Sequence, residues 1–407
     1  MEKIKVFEAF AGIGTQRMAL KRLNVPHEII GISEIDKYAL KSYKAIHGDC
    51  PNVGDISKFD PQDLPDFDLF TYSFPCQDLS IAGKQKGLVK GQTRSGLLYE
   101  CEKIIEGKRP RFLLMENVKH LVSQKFKPQF EEWLTYLESL GYTNYWQVLN
   151  AKDYGVPQHR ERIFVVSILN HQTPFTFPPA QPLTKTLSDV MDETTPFDST
   201  PWHFTAIPKE FKKTSQILTA KGERWVRVRT YPVDVEALKQ CLKTAKQQTK
   251  LTIRMISTQL GVEKTTVDHW FRQDACFSIP DLSIWFELKA LLQIETDAFD
   301  VPITHFTTKL NAFDISNRLY HVNGIAPTLT CCGATTAKRV FKGDGEHEPF
   351  EVRHLTSREY WRLMGVSDEA YQRAKQAGVS EVQLYKQAGN AIVVNVLEEI
   401  FKNLFKD

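Results

Sequence analysis

A cysteine in a constrained, polar setting is the first residue in this sequence that could do chemistry. Cys76 stands in the segment 73–77 (SFPCQ), directly after the apolar run FDLFTY. Pro75 has a fixed φ angle and therefore holds the residue after it in a defined orientation. A thiol in such a place is a candidate nucleophile, whereas a single cysteine in apolar surroundings is more often an inert core residue.

One carboxyl group and two guanidinium groups could assist such a nucleophile. Glu116 follows the apolar run RFLLM, and burial there would raise its pKa towards that of a general acid. A carboxylate that caps a helix is the alternative. Arg160 and Arg162 precede the apolar run 163–168, and alternation along an extended segment puts both on one face. They suit a phosphate or a carbonyl oxygen, although a surface strand with salt bridges has the same pattern.

Glycines and carboxylates near the N-terminus indicate a pocket for an adenosine group. Gly12 and Gly14 follow an apolar run, at a turn where a ligand can approach the backbone and a helix N-terminus. Glu34 comes about 20 residues later, the usual place of a carboxylate that accepts hydrogen bonds from ribose hydroxyls. Asp55 stands at the end of the next expected strand. The nicotinamide fingerprint is incomplete, because Arg17 occupies the position of its third glycine.

Alternating strand-like and helix-like segments must position these groups. Apolar runs predict strands at 4–12, 28–33, 67–73, 111–115, 145–149 and 163–168. Helical patterns and stop signals predict helices at 14–24, 37–47, 95–107 and 128–140. The alternation predicts an α/β fold with a doubly wound, Rossmann-like and mainly parallel sheet. Ligands of such sheets bind at the carboxyl ends of strands, where these motifs stand.

Length and composition limit the class of protein. With 407 residues, 42% of them apolar and 25% charged, the chain has the composition of a globular protein of two or three domains. It lacks an apolar window of about 18 residues and the pattern of a signal peptide, so we expect no contact with a membrane. Its seven cysteines form no Cys-x-x-Cys pair, which predicts reduced thiols in the cytoplasm and no metal site.

Basic residues are concentrated in one region. Residues 201–275 contain 14 Lys and Arg against 7 Asp and Glu, a net charge of +7, whereas the whole chain carries +3. Four prolines between 174 and 182 mark a linker before this region. A basic module beside a nearly neutral body favours a polyanionic partner such as nucleic acid, and a solvated basic surface is the alternative.

In their order and spacing, these motifs resemble those of the DNA cytosine-5 methyltransferases of bacterial and phage type. The family's first motif, nucleophile motif, acid motif, arginine motif and last motif are matched by residues 10–14, 75–77, 116–118, 158–162 and 389–392. The resemblance covers residues 4–168 and 351–405. The sequence departs from the family's most common residues at Glu8, Ile35, His159 and Ile392, and none of these changes removes a reactive group.

The resemblance implies a reaction and its residues. Cys76 would attack C6 of a cytosine flipped out of the duplex, Glu116 would protonate or hydrogen-bond N3, and Arg162 with Arg160 would hold the O2 side. C5 would then take the methyl group of S-adenosylmethionine, which becomes S-adenosylhomocysteine. The residues expected to contact this cofactor are Phe10, Gly12, Gly14, Glu34, Asp55, Ile56, Pro75 and Asn390.

The resemblance also implies two domains. Residues 1–172 and 345–407 would form the catalytic domain, and 173–344 an inserted target-recognition domain. Within the insert, residues 252–273 resemble a helix-turn-helix with helices near 252–260 and 264–272, for which a helical hairpin packed on the body is the alternative. A loop at 78–92 would close on the flipped base. The residues expected to contact DNA are Ser80, Arg224, Arg227, Arg229, Lys264, Thr265, Thr266, His269, Arg272 and Thr328.

We therefore expect a monomeric enzyme that acts on double-stranded DNA in the bacterial cytoplasm, associated with the nucleoid. It would belong to a restriction-modification system, whose cognate endonuclease would not be a stable subunit. A tRNA cytosine-5 methyltransferase is one alternative, disfavoured because the narrow major groove of RNA excludes a reading helix. A DNA-binding regulator on a methyltransferase body is another, disfavoured because Cys76, Glu116 and both arginines are retained. A nicotinamide oxidoreductase would leave the segment 75–77 unexplained.

Overall fold

The computed structural model describes residues 2–75, 95–170, 174–197, 225–231, 235–274, 276–280, 282–300, 303–307, 318–331, 337–342 and 351–406. Contacts within the chain divide it into two compact units. The first unit consists of Met1–Glu193, Val322–Lys338 and His354–Asp407, and the second of Thr194–His321 and Arg339–Arg353. These boundaries differ from the expected ones, because residues 173–193 and 322–338 group with the first unit and residues 345–353 with the second.

The described residues contain eleven strands and twelve α-helices, which we number along the chain. The strands are β1 (Ile4–Ala9), β2 (His27–Ser33), β3 (Leu69–Tyr72), β4 (Phe112–Val118), β5 (Tyr142–Asn150), β6 (Glu161–Leu169), β7 (Trp225–Tyr231), β8 (Ile303–Thr307), β9 (Arg318–His321), β10 (Arg339–Lys342) and β11 (Glu351–His354). The helices are α1 (Thr15–Arg22), α2 (Lys37–His47), α3 (Leu98–Lys108), α4 (Lys127–Ser139), α5 (Val235–Thr249), α6 (Ile253–Leu260), α7 (Lys264–Trp270), α8 (Leu282–Leu291), α9 (Ser357–Arg362), α10 (Asp368–Gln376), α11 (Glu381–Asn390) and α12 (Val394–Leu404). Of the described helices, none is both long enough and apolar enough to cross a bilayer.

A six-stranded sheet forms the centre of the first unit. Its order is β2-β1-β3-β4-β6-β5. Strands β1 to β4 run parallel, while β6 runs antiparallel to both of its neighbours, β4 and β5. The predicted α/β fold with a mainly parallel sheet is therefore confirmed, and the antiparallel edge is a feature that the apolar runs alone did not reveal.

The strand order places the crevice of this sheet beside β1. The chain passes from β1 to β2 on one side and returns to β3 on the other, so the carboxyl ends of β1 and β3 flank a topological switch point. The interior beneath it is rich in aromatic side chains: Phe7 and Phe70 are stacked, as are Phe70 and Tyr72, and all three are fully buried. This packed layer fixes where the loops after β1 and β3 begin.

The second unit contains a sheet and a block of helices. The sheet has the order β11-β10-β9-β7-β8. The sequence predicted an irregular region here, with one basic strand around residues 224–229. The other strands were missed because β8, β9 and β10 are only four or five residues long, too short for a clear alternation of side chains. The helices α5 to α8, which we call the helical block, enclose a core of their own that includes Leu242, Ile256, Val267, Trp270 and Trp285.

Candidate functional site

The loop after β1 is a tight turn with an unusual backbone. Phe10, Gly12 and Gly14 all have positive φ angles, of 56°, 57° and 74°. At Gly14 a Cβ atom would lie 2.6 Å from the rings of Tyr43 and His47, so only glycine fits there. At Gly12, by contrast, a Cβ would meet nothing within 4 Å, and the backbone is open to a ligand. Strain at Phe10, which is not a glycine, is a feature often found at functional sites.

Glu34 is joined to this loop through its carboxylate. It follows β2, and its Oε2 accepts a hydrogen bond of 2.8 Å from the backbone amide of Gly12. The side chain of Asn52 holds the surrounding backbone, because it accepts from the Glu34 amide at 3.1 Å and donates to the Glu34 carbonyl at 3.0 Å. Sequence reasoning missed Asn52. An Asn two residues before Gly54, in a short turn, was the available signal.

The structure corrects the expected position of Asp55. It follows an isolated bridge between Ile32 and Asn52, not the end of a strand. Its carboxylate accepts from the Ser57 amide at 3.1 Å and from the Ser57 hydroxyl at 2.8 Å, and these bonds lower its pKa. Ile56, the next residue, is buried in the core. Asp55 therefore shapes the turn beside Glu34 through local hydrogen bonds.

The backbone that leads to Cys76 is fixed by its neighbouring strand. β3 ends at Tyr72. The side-chain amide of Asn117, on β4, donates a buried hydrogen bond of 3.1 Å to the carbonyl oxygen of Phe74. Asn117 lies within the motif that the sequence singled out for Glu116, and its role as a support was not predicted. Cys76 itself, Ser80 and the loop 78–92 lie outside the described residues.

Glu116 and Arg162 form a buried ion pair. On β4 and β6, Val118 lies opposite Arg162 and Glu116 opposite Phe164, so the two charged side chains share one face of the sheet diagonally. The distance from Arg162 Nε to Glu116 Oε1 is 3.2 Å, and the side chains are only 16% and 11% exposed. The sequence predicted both residues for one site, and the structure brings them together.

Burial raises the pKa of Glu116. The loss of hydration is the largest cause, and the positive charges of Arg162 and Arg160 and a bond from Ser73 oppose it without cancelling it. A carboxyl group with a raised pKa keeps its proton to a higher pH. The environment of Glu116 therefore suits a proton donor.

Arg160 has a different place from Arg162. It is buried, and its guanidinium group donates to three backbone carbonyls: Leu329 at 3.1 Å, Gly389 at 3.1 Å and Ala391 at 3.0 Å. We expected both arginines to contact a substrate together. In the structure, the guanidinium group of Arg160 instead joins distant segments of the chain. Its contacts with backbone are those of a positioning residue.

The segments that meet at Arg160 are also joined by neighbouring residues. Gln158 is fully buried, donates to the carbonyl of Leu363 at 2.7 Å and accepts from the amide of Leu329 at 3.1 Å. Thr328 donates its hydroxyl proton to the carbonyl of His159 at 2.8 Å. The threonine that was expected to contact DNA is thereby fixed beside the arginine motif.

The last motif approaches the same backbone closely. A Cβ atom on Gly389 would lie 2.5 Å from the carbonyl carbon of Thr330, so the end of α11 can lie there only with glycine. The next residue, Asn390, accepts a hydrogen bond at 2.7 Å from the thiol of Cys331. Asn390 is thus held at the edge of the first unit by a short loop that is itself fixed by Arg160.

The residues around Gly12 fit an adenosine-containing cofactor. The open backbone at Gly12 and the Glu34 carboxylate beside it suit a ribose with its hydroxyl groups. Ile35, the neighbour of Glu34, is 74% exposed, which leaves an apolar face next to the polar groups. Among the described residues no cluster of three or more potential metal ligands occurs.

Within the helical block, the predicted DNA-contacting residues fall into two groups. Lys264, Thr265 and Thr266 lie in the first turn of α7 and are exposed. The Nδ1 atom of His269 instead lies 2.8 Å from the carbonyl of Cys276. Arg272, which follows the end of α7, forms a two-pronged ion pair with Asp274 whose shortest distance is 2.6 Å. The helix is shorter than predicted and ends at Trp270.

Arg227 and Arg229 lie on β7, two residues apart and so on the same face of that strand. β7 pairs with β8 and β9, and Arg229 is opposite His305. Arg224 lies outside the described residues. The predicted basic strand is thus present at these positions.

Comparisons with known proteins agree with this arrangement. The family model of the C-5 cytosine-specific DNA methylases matches residues 4–406. The type II methyltransferase M2.ScrFI of Lactococcus lactis subsp. cremoris is 35% identical over 99% of both chains. The orphan methyltransferase M.SPRI of Bacillus phage SPR is 29% identical, over 99% of this chain and 98% of its own.

Solved structures show the same fold. The Schizosaccharomyces pombe Dnmt2 methyltransferase ("S. pombe Dnmt2") aligns over 99% of this chain and 98% of its own, with a TM-score of 0.58 and 17% identity. A putative DNA modification methyltransferase encoded within an Escherichia coli prophage aligns over 99% of both chains, with a TM-score of 0.55 and 18% identity. Because the family model spans nearly the whole chain, this protein belongs to the C-5 cytosine-specific DNA methylase family and is a DNA cytosine-5 methyltransferase.

Proposed function

We propose that this enzyme methylates C5 of a cytosine within one short sequence of double-stranded DNA, through a covalent adduct with Cys76. The observation that carries the proposal is the buried pair of Glu116 and Arg162, beside the backbone that Asn117 holds two residues before Cys76. This juxtaposition supplies a proton donor and a cation beside the backbone that leads to a candidate nucleophile. Such a set suits a pyrimidine ring that must become electron-rich at C5.

The first step is nucleophilic addition. The thiolate of Cys76 forms a bond with C6, and the electrons of the C5–C6 double bond move into the ring. Glu116 donates its proton to N3, which keeps negative charge from building up on the base. The raised pKa of Glu116 supports this role, since the carboxyl group retains the proton that it must give. Arg162 lies against Glu116, and in this proposal its guanidinium group donates hydrogen bonds to O2 of the same ring.

The second step places the methyl group on C5. S-adenosylmethionine, when bound, supplies an electrophilic methyl group and is released as S-adenosylhomocysteine. The chain would hold it with the loop from Phe10 to Gly14, the Glu34 carboxylate, the turn at Asp55 and Ile56, Pro75 and Asn390. The C5 proton is then lost to a water molecule, and the electron pair of the C5–H bond re-forms the C5–C6 double bond as Cys76 leaves as a thiolate. N3 returns its proton to Glu116.

The base must leave the duplex before Cys76 can reach C6. We assign its capture to the loop 78–92, with Ser80, and to Thr328, whose hydroxyl is bonded to His159 and whose neighbours are fixed by Arg160. Arg160 acts here as a positioning residue. Its contacts with three carbonyls support the loop at 328–331 and the last motif together.

Reading of the target sequence belongs to the second unit, the proposed target-recognition domain. Lys264, Thr265 and Thr266 are exposed at the start of α7 and form the proposed reading edge of a helix-turn-helix. Arg224, Arg227 and Arg229 are proposed phosphate contacts on and before β7. His269 and Arg272 contribute less, because each side chain already has a partner in the turn after α7.

We further propose that the enzyme works as a monomer in the bacterial cytoplasm, associated with the nucleoid, as part of a restriction-modification system. The type II methyltransferase relative at 35% identity supports this assignment. A cognate restriction endonuclease would cut the same sites without forming a stable complex. The match to the family of DNA methylases and the type II methyltransferase relative also favour DNA over tRNA as the substrate.

The decisive test is bisulfite sequencing of a random-sequence duplex library treated with the enzyme and S-adenosylmethionine. We expect protected cytosines in one short motif, and none after treatment with Cys76→Ala. Folded protein that binds the cofactor and protects no cytosine in DNA would reject the proposal. The same assay on total tRNA then decides whether RNA is the substrate.

A second test addresses the covalent step. A duplex that carries 5-fluorocytosine at the target position cannot complete the elimination, because fluorine does not leave C5 as a cation. Wild-type enzyme should form a complex with this duplex that survives denaturing electrophoresis, and Cys76→Ala should not. A stable complex with the alanine variant would overturn the role of Cys76.

A further inference from the structure

Helix α11 contacts the start of α2 through a charged side chain. Lys386 Nζ lies 2.7 Å from Asp36 Oδ2. The next residue, Gln387, donates to the carbonyl of Tyr38 at 2.9 Å and accepts from the hydroxyl of Ser42 at 2.9 Å. Two adjacent side chains near the end of the chain therefore hold the first turn of a helix that begins at residue 37.

Asp36 connects this contact with Glu34. One carboxylate oxygen of Asp36 caps α2 and accepts from the amides of Tyr38 and Ala39, while the other meets Lys386. The backbone amide of Asp36 donates to Glu34 Oε1 at 2.7 Å. Since Gly12 donates to the second oxygen of Glu34, that carboxylate is held between the loop after β1 and the start of α2.

The charges explain what Lys386 adds. Glu34 and Asp36 are two carboxylates only two residues apart, and without a cation their repulsion would favour conformations that separate them. Burial opposes the charged form of Asp36, but the bonds from Lys386 and from the amides of α2 lower its pKa overall. The bond to Asp36 in turn raises the pKa of Lys386, so both groups stay charged.

We propose that Lys386 is a positioning residue for the cofactor site. It acts through Asp36, and so keeps the Glu34 carboxylate in the orientation that receives the ribose. The inference rests on the proposed function in one respect, the binding of S-adenosylmethionine at Glu34. It adds a role for a residue of α11 that lies outside the five motifs.

The test measures the affinity of the DNA-free enzyme for S-adenosylmethionine by calorimetry. Lys386→Met should raise the Kd three- to fivefold, the range that a partly exposed ion pair can supply, and Lys386→Arg should restore it to within about twofold. Asp36→Asn should leave the Kd within about twofold of wild type, because asparagine also caps helices and the loss of this carboxylate removes its repulsion of Glu34. The double variant should bind no more weakly than either single variant.

In steady-state assays the KM for S-adenosylmethionine should rise with Lys386→Met, while kcat at saturating cofactor stays within twofold. If Lys386 had only a structural role, the variant would have a lower melting temperature but would not raise KM while leaving kcat nearly unchanged. At about 0.5 M salt the wild-type Kd should move towards that of Lys386→Met, because the pair is partly exposed and ions screen it.

The matched control is Lys375→Met. Lys375 forms an ion pair of 3.2 Å with Glu381 at the other end of α11, with about half of each side chain exposed. We expect no change in the Kd for this variant. A double variant that binds as weakly as Lys386→Met alone, or an unchanged Kd for Lys386→Met, would overturn the inference and leave the proposed function intact. Wild-type enzyme that fails to bind S-adenosylmethionine would overturn the proposed function and the inference with it.

Discussion

Two arginine–carboxylate pairs, one in each unit, show how burial decides what the same chemistry does. The pair of Glu116 and Arg162 has side chains that are 11% and 16% exposed. The pair of Arg272 and Asp274 has side chains that are 39% and 55% exposed, and its two residues are separated by only one residue. In the first pair, removal from water raises the pKa of the acid. In the second, water remains, and the bond to the arginine lowers the pKa of Asp274 to about 2.

The difference is one of function as well as of energy. A buried carboxyl group with a raised pKa keeps a proton that it can donate to a higher pH than usual, whereas an exposed and ionised one can only hold a charge. The buried pair therefore suits catalysis, and the exposed pair modulates how strongly a surface attracts an anion. Four variants test this contrast.

The largest effect should come from Glu116→Gln. Glutamine fills the same space but cannot donate the proton to N3, so the single-turnover rate of methyl transfer at pH 7 should fall by about 10²- to 10⁴-fold. The wild-type rate should decline as pH rises through the raised pKa of Glu116, and the residual rate of the variant should lose that dependence. The measurement is rapid-quench transfer of labelled methyl groups. A parallel pH profile in both proteins would argue against the role of Glu116 as an acid.

Arg160→Met should cost stability. The variant loses donors to three buried carbonyls, which we expect to lower the free energy of unfolding by about 4 kcal/mol. Because the acceptors are backbone groups that do not titrate, most of this loss should be the same at pH 6 and pH 8. A small further loss is expected at pH 8, because the charge of Arg160 also lowers the pKa of Glu116. Urea denaturation at both values checks it. A loss that arises mainly at the higher pH would indicate that Arg160 is chiefly a partner of Glu116.

Arg162→Met should cost about 3 kcal/mol at pH 8, and less at low pH. Without its cation, Glu116 has a still higher pKa in the folded state. A raised folded pKa means stability that is fully present below the usual pKa of glutamate and is lost as pH rises through the raised value. Denaturation curves between pH 5 and pH 8 test the sign, with Arg160→Met, whose loss should depend less on pH, as the reference. Equal losses at both ends of the range would contradict it.

The smallest effect should come from Asp274→Asn. The ion pair is exposed, so the free energy of unfolding should change by less than about 1 kcal/mol. Freed from its partner, Arg272 becomes available to phosphate, and binding to DNA should tighten a few-fold with a salt slope steeper by about one. Fluorescence anisotropy at several salt concentrations measures both. Glu287→Gln, which removes a carboxylate at an exposed residue of α8, tests whether any equal gain in positive charge within the helical block has the same result.

The sequence predicted the part of the molecule whose signals are local. Most of the strands β1 to β6 contain apolar runs, and alternation along an extended segment placed Arg160 and Arg162 on one face. Glu116 was a candidate acid because it follows an apolar run, with a helix-capping carboxylate as the alternative. The strands of the second unit were mostly missed because four or five residues carry too little periodicity.

The parts that could not be predicted depend on distant contacts. Nothing near Arg160 in the sequence shows that its partners are the carbonyls of Gly389 and Ala391, about 230 residues away. The contact between Lys386 and Asp36 spans 350 residues. The pairing of Arg272 is different, because Asp274 stands two residues later and was visible in the sequence. Because Arg272 lies at an exposed helix end, the sequence could not decide whether its partner is a carboxylate of the protein or a phosphate of DNA.

The contacts of Arg160 with residues about 230 positions later have a consequence for folding during synthesis. A chain emerging from the ribosome at about 5 to 20 residues per second leaves an interval of about 10 to 50 s between Arg160 and the carbonyl of Ala391. Throughout that interval the guanidinium group lacks at least two of its three acceptors, and before Leu329 is made it lacks all three. A nascent chain can therefore form the strands of the central sheet early, whereas the arginine motif and the last motif are joined only after Ala391 has been made.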